Sequence, residues 1–77
     1  MSPKLPRVTG PELVRALRRA GWYEIRQTGS HVHLNHSDRP GVLVTVPVHA
    51  GQVLPLGTTK AILDRAAMSD DDLRRLL

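Results

Sequence analysis

Two histidines one residue apart follow a glycine-marked turn near the middle of this chain, in the run Gln27-Thr28-Gly29-Ser30-His31-Val32-His33-Leu34. A strand turns successive side chains to opposite faces, so Val32 and Leu34 would face a core while His31 and His33 face the other way. Histidine titrates near neutrality and can both give and accept a proton. The pair on an open face, beside a serine hydroxyl, is therefore a candidate reaction site.

The 77-residue chain is basic, with 11 lysines and arginines against 7 acidic residues and a sequence pI near 10.7. A basic domain suits a polyanionic partner such as nucleic acid. A GC-rich genome would also favour arginine whatever the protein does, so charge alone leaves both explanations open. Three arginines of the first predicted helix, Arg15, Arg18 and Arg19, are accordingly either a solvated face or a strip that faces phosphates.

The composition also excludes several classes of site. No cysteine is present, which removes disulfides, thiolate zinc sites and cysteine nucleophiles. No apolar run reaches the roughly 18 to 20 residues that span a bilayer, and the start lacks the apolar segment of a signal peptide. We therefore expect a cytoplasmic protein with one domain, residues 1–77. Its thin core should come from Leu5, Leu13, Leu17, Ile25, Val32, Leu34, Val44, Val46, Ile62 and Leu63.

A helix is predicted early in the chain. Two prolines within residues 1–7 indicate an irregular segment, after which Thr9 and Glu12 have the spacing of a capping box. Leu13, one residue beyond the box, begins an apolar stripe with helical spacing, and Gly21 is the expected stop.

Three alternating segments then predict strands, at Trp22–Gln27, Ser30–Asn35 and Val42–Val46. In the first strand Ile25 should share a face with Tyr23. Glu24 and Arg26 should share the opposite face. Pro47 is expected to end the pairing of the third strand.

Two more helices complete the prediction. One should begin at Thr58 or Thr59, either of which can cap it, and a short one should follow the N-cap Ser69, with the run Asp70-Asp71-Asp72 in its first turn. A helix, an antiparallel meander and two helices predict an α+β sandwich of the α-β-β-β-α kind found in double-stranded-RNA-binding domains.

Four ordered motifs give the chain a family resemblance over nearly its whole length. They are Ala20-Gly21-Trp22, Arg26-Gln27-Thr28-Gly29-Ser30-His31, Val44-Thr45-Val46-Pro47-Val48-His49, and Leu56-Gly57-Thr58 leading into Ile62-Leu63. In this order they resemble the HicA-type mRNA interferase toxins of toxin–antitoxin pairs. Thr59 stands where that family usually has an apolar residue, and Trp22 where it more often has Phe.

The resemblance implies a double-stranded-RNA-binding-like fold, cleavage of mRNA, neutralisation by a HicB-type antitoxin and a catalytic histidine, here His31. It implies no catalytic role for His33 or His36. The expected partners are thus RNA and an antitoxin protein, with no membrane and no DNA contact.

RNA cleavage by the adjacent 2′-hydroxyl needs proton transfer and charge stabilisation but no obligatory metal or other cofactor. We expect His31 to act as general acid or base. Ser30 could orient the substrate. The phosphate would be held by Arg26 or by another cation, Lys60 or Arg39.

The remaining histidines have simpler interpretations. His33 is a scaffold residue or an RNA contact, and His36 is a surface residue. His49 either fixes its loop or contacts the substrate.

Three other functions compete with this hypothesis. The chain could be a non-catalytic RNA-binding module of the same fold, held by shape and phosphate contacts. His31 and His33 could begin a metal site, although a catalytic zinc usually has three protein ligands. The basic surface could also serve an acidic protein partner.

Overall fold

The computed structural model describes residues 5–77 and confirms the predicted architecture. Its elements are α1 (Gly10–Arg19), β1 (Tyr23–Thr28), β2 (His31–Asn35), β3 (Val44–Pro47), α2 (Leu56–Arg65) and α3 (Asp70–Leu76). The strands form one antiparallel sheet in the order β1-β2-β3. Most of the predicted irregular segment over residues 1–7 lies outside the described residues.

One face of the sheet carries the core. Its inward side chains come from β2 and β3, and the helices cover them with aliphatic residues: Val32, Leu34, Val44, Val46, Leu13, Leu17, Ile62, Leu63 and Leu73 are all buried. The alternation predicted for β2 is therefore confirmed. Because the helices lie on this one face, the opposite face keeps the polar side chains of the same strands.

The capping box predicted at Thr9 is present, and the N-cap predicted at Ser69 also forms a capping box. In α1 the Thr9 N–H donates to Glu12 Oε1 at 2.8 Å, and the Glu12 N–H donates to the Thr9 hydroxyl at 3.3 Å. Ser69 and Asp72 repeat the arrangement at α3. The bond from the Thr9 backbone is the main cause that lowers the pKa of Glu12, and the Ser69 backbone does the same to Asp72. Helices α1 and α3 thus begin where the sequence predicts a satisfied N-terminus.

The faces predicted for the side chains of β1 were wrong, because the strand contains a β-bulge. Glu24 lies opposite Leu34 and Arg26 lies opposite His33, so Ile25 is an extra residue. Residues directly opposite in a ladder share a face, and the bulge therefore puts Glu24 on the helix side and Arg26 on the open side. Ile25 is not a core residue, since 45% of its surface is exposed.

The other strand and helix boundaries lie within a few residues of prediction, and those of β3 and α2 differ most. Strand β3 runs from Val44 to Pro47, and Pro47 still lies opposite His31 at the sheet edge, where a missing N–H is tolerated. Helix α2 begins at Leu56. Its N-cap residue is Pro55, whose side chain makes no capping hydrogen bond. The threonine predicted as a cap, Thr59, is instead a fully buried helix residue.

The start of α1 approaches the end of β3 unusually closely. A Cβ placed on Gly10 would lie 2.0 Å from the Pro47 carbonyl oxygen and 2.9 Å from Val48 Cα. Both atoms belong to the backbone, so they cannot move away as a flexible side chain could. Only glycine lets the helix and the strand meet at this distance.

We predict that Gly10→Ala lowers the free energy of unfolding by about 2 to 3 kcal/mol, because the added methyl group overpacks a backbone contact. Gly57→Ala is the matched control: Gly57 also lies in a helix, and a Cβ there meets nothing within 4 Å. That substitution should be neutral or stabilising by up to about 1 kcal/mol. Urea unfolding of both variants measures the difference, and equal stabilities would contradict the steric argument.

Candidate functional site

The open face of the sheet carries three of the residues singled out in the sequence, His31, His33 and Arg26. His31 lies between Thr28 of β1 and Pro47 of β3, and the next row along the sheet places His33 between Arg26 and Thr45. Residues opposite one another on a face have Cβ atoms about 4.5 to 5.5 Å apart. These two rows therefore form one continuous polar surface at the end of the sheet that carries the β1–β2 turn.

His31 is exposed at the first position of β2. Among residues 5–77 its imidazole has no hydrogen bond or ion pair, so both ring nitrogens are open to a ligand. The backbone is nevertheless fixed, because the residue is paired on both sides within the sheet. This combination of a free ring on a rigid strand suits a group that must give or accept a proton.

A second histidine reaches the same turn from the loop after β3. His49 Nε2 lies 3.4 Å from the Ser30 hydroxyl, a long hydrogen bond. A backbone hydrogen bond also connects this loop to the turn, because the Val48 N–H donates to the Ser30 carbonyl at 2.6 Å. The loop that carries His49 is thus held against the residue that precedes His31, a proximity that the sequence left open.

His33 is held by its neighbours at both ring nitrogens. Nδ1 lies 2.9 Å from the Thr45 hydroxyl and Nε2 lies 3.2 Å from the Thr28 hydroxyl. A neutral imidazole has one donor and one acceptor nitrogen, and the two rotatable hydroxyls can satisfy both. Its ring therefore links the three strands across the open face.

His36 is a structural residue and not the surface residue that the sequence indicated. Its Nε2 lies 3.0 Å from the Ala20 carbonyl, to which it donates, and its Nδ1 accepts from the Asp38 N–H at 3.0 Å. The ring also meets Trp22 edge to face, with centroids 5.2 Å apart. It packs where Gly21 has a φ of 100°, so close that a Cβ on this glycine would lie 2.6 Å from Nε2.

The three cations predicted to hold phosphate lie in three separate parts of the structure. Arg26 is exposed on the open face opposite His33, whereas Arg39 lies in the β2–β3 loop beside a hollow of about 370 Å³ that Tyr23 also lines. Lys60 lies at the junction of α2 and α3, where its ammonium is 3.2 Å from Asp64 and 4.0 Å from Asp70. Of the three, Arg26 is the one that shares the histidine surface.

No group of three histidine, aspartate or glutamate side chains that could hold a metal ion occurs within the described range, 5–77. Over the same range, no helix has the length and apolar character needed to cross a membrane.

The fold and this surface define a class: a basic α+β domain of the double-stranded-RNA-binding type, with histidines on the uncovered face of its sheet. A family model described as the HicA toxin of bacterial toxin–antitoxin systems matches residues 10–68. The match includes the whole sheet, α2 and every residue of the histidine surface, and the chain belongs to the HicA toxin family. A comparison with curated proteins gave no significant match.

We predict that His36→Ala lowers the free energy of unfolding by about 1 to 2 kcal/mol, because the Ala20 carbonyl and the Asp38 N–H lose their partner. His31→Ala, which removes an exposed ring that makes no hydrogen bond within residues 5–77, should change stability by less than about 0.5 kcal/mol. Urea unfolding compares the two. Equal losses would show that His36 does not connect the helix end to the loop as described.

Proposed function

We propose that this toxin is a metal-independent endoribonuclease, an mRNA interferase, and that His31 is its catalytic histidine. The observation that supports this most directly is the position of His31, exposed and unbonded among the described residues at a rigid corner of the open face. Family membership supports the same assignment, because the match covers the Gly-Ser-His run. The basic charge of the chain suits RNA.

The chemistry requires little machinery beyond these side chains. The 2′-oxygen of RNA bonds to the adjacent phosphorus while the 5′-oxygen departs, so one proton must be removed and one delivered. His31 performs one of these transfers. Arg26, exposed in the neighbouring row, binds a non-bridging phosphate oxygen and offsets the charge that develops there. Ser30 orients the substrate at the turn.

His49 is the candidate for the second proton transfer. Its ring lies at the Ser30 hydroxyl, beside the residue that precedes His31, and is exposed. Two histidines at one phosphate allow one to act as base while the other acts as acid, which a single ring can do only by changing state between steps.

We also propose where the toxin acts and which molecules it binds. The toxin acts in the cytoplasm as a single domain, binds mRNA and is neutralised by a HicB-type antitoxin. Both ring nitrogens of His33 are engaged by threonines, so His33 contacts RNA through the edge of its ring and through the shape of the surface that the ring forms. Arg39 and Lys60 lie at other parts of the surface and would contact more distant phosphates.

We predict that His31→Ala reduces RNA cleavage by about 10²- to 10⁴-fold, because one proton transfer is lost. The assay is gel electrophoresis of mixed RNA incubated with purified protein in buffer that contains EDTA. His36→Ala is the matched control: it also loses one histidine, but from a structural position, and should still cleave at temperatures where it is folded.

Retained cleavage by a folded His31→Ala protein would overturn the catalytic assignment. RNA binding without cleavage by the unaltered chain would instead identify a binding module of the same fold. Cleavage that occurs without EDTA and stops when EDTA is present would contradict a metal-independent reaction.

We predict that His49→Ala also reduces cleavage by about 10²-fold or more and removes one limb of a bell-shaped pH–rate profile. Ser30→Ala should leave both limbs in place, because the hydroxyl does not transfer the proton. If His49→Ala lowers stability but keeps the full pH profile, His49 fixes its loop and takes no part in proton transfer.

A further inference from the structure

An open groove of about 640 Å³ runs between α1 and β1 on the helix side of the sheet. The bulge in β1 helps to form it, since Glu24 and Gln27 both line this side. Arg15 and Arg18 line the opposite wall from α1. None of the residues in the histidine surface lines this groove, so it is a separate feature of the molecule.

The groove carries net positive charge. Arg15 and Arg18 are exposed, and neither forms a salt bridge or hydrogen bond with any of residues 5–77, although the charge of Arg15 also acts on Glu12. A third arginine, Arg19, also lines the groove, but its guanidinium donates to the Leu76 carbonyl at 2.8 Å. Glu24 is the carboxylate on the facing wall, and the positive charges exceed it.

The groove ends at the turn that carries the proposed catalytic residue. Gln27, on its β1 wall, donates from Nε2 to the Gly29 carbonyl at 3.0 Å. Val48, on its floor, donates its N–H to the Ser30 carbonyl at 2.6 Å. Both residues of the two-residue turn are therefore bonded to the groove lining. His31 leaves the same turn on the opposite face of the sheet.

The geometry points to a second RNA-binding site: the groove holds the phosphodiester backbone of the same strand whose scissile phosphate lies at His31. This inference rests on the proposed function. Arg15 and Arg18 are three residues apart on a helix, which places their Cβ atoms about 5 to 6 Å from each other. Each guanidinium presents a planar fork of donors that suits the oxygens of a phosphate.

Recognition in this groove is independent of base sequence. Within residues 5–77 no aromatic side chain lines it, so the bases find no stacking platform there. Contacts to phosphate position a strand without reading its sequence. The site therefore determines the path and the affinity of the RNA, and any sequence preference arises elsewhere.

RNA fits the groove better than an acidic protein does. Charge alone suits either partner, but the groove leads directly to the Ser30–His31 turn, and a strand bound at that turn continues into it. A polymer with one phosphate per nucleotide meets cations on both sides of the turn, Arg26 on the open face and Arg15 in the groove.

Binding should be measured in the His31→Ala background, so that RNA stays intact, by fluorescence anisotropy with a labelled single-stranded RNA of about 16 nucleotides. Arg15→Gln/Arg18→Gln should weaken binding about tenfold at low salt and reduce the slope of log K against log salt by about 1.4, for two phosphates lost. The control, Arg74→Gln/Arg75→Gln, removes the same formal charge from α3, where the two guanidiniums pair with Asp71 and Asp72. It should bind like the parent. An RNA of about 4 nucleotides should not distinguish the variants.

Equal binding by the two double variants would overturn the groove proposal, whether or not the unaltered chain cleaves RNA. An equal loss of binding with the short RNA would also overturn the groove proposal, since the two arginines would then attract RNA by overall charge and not by holding the strand in the groove. If the unaltered chain binds through Arg15 and Arg18 but does not cleave, the groove proposal stands and the ribonuclease proposal fails.

Discussion

The close contact between Gly10 and the Pro47–Val48 backbone determines where the rest of the site lies. It brings the first turn of α1 onto the end of β3, at a separation that only glycine permits. Adjacent backbone pairs extend the contact: Leu54 donates its N–H to the Val8 carbonyl at 2.8 Å. The loop after β3, which could otherwise move freely, is held on both sides. Val48 can then reach Ser30, and His49 is carried to the turn.

The open face, which no helix among residues 5–77 covers, gains rigidity from hydrogen bonds. His33 joins Thr28 and Thr45 across three strands, so both nitrogens of its ring are held. His31 has the opposite character, with a fixed backbone and a ring that makes no hydrogen bond within residues 5–77. This difference suits the proton transfer proposed for His31, because the neighbouring hydrogen bonds keep the strand in place while the ring nitrogens stay accessible.

Local patterns predicted most of the fold and the position of His31. The alternation of β2 and the caps at Thr9 and Ser69 depend on nearby residues, which the sequence displays directly. The errors arose where tertiary contacts decide. The bulge at Ile25 is a matter of register with β2, and the bonds of His36 join it to Ala20, 16 residues earlier. The approach of His49 to Ser30 spans 19 residues, and no spacing rule connects them.

A reaction on an uncovered sheet has to obtain its precision from extended binding. A shallow surface neither excludes water nor surrounds a substrate, so the reacting groups alone cannot hold a phosphate in line with its nucleophile. Binding energy from remote parts of a long substrate can supply that orientation. RNA offers such contacts at every nucleotide, and arginines that form no salt bridge within residues 5–77 lie on both sides of the turn that carries the proposed catalytic histidine, Arg26 on one and Arg15 and Arg18 on the other. If the proposed function holds, a small domain with a thin core positions a flexible polymer through these remote contacts and needs no deep pocket.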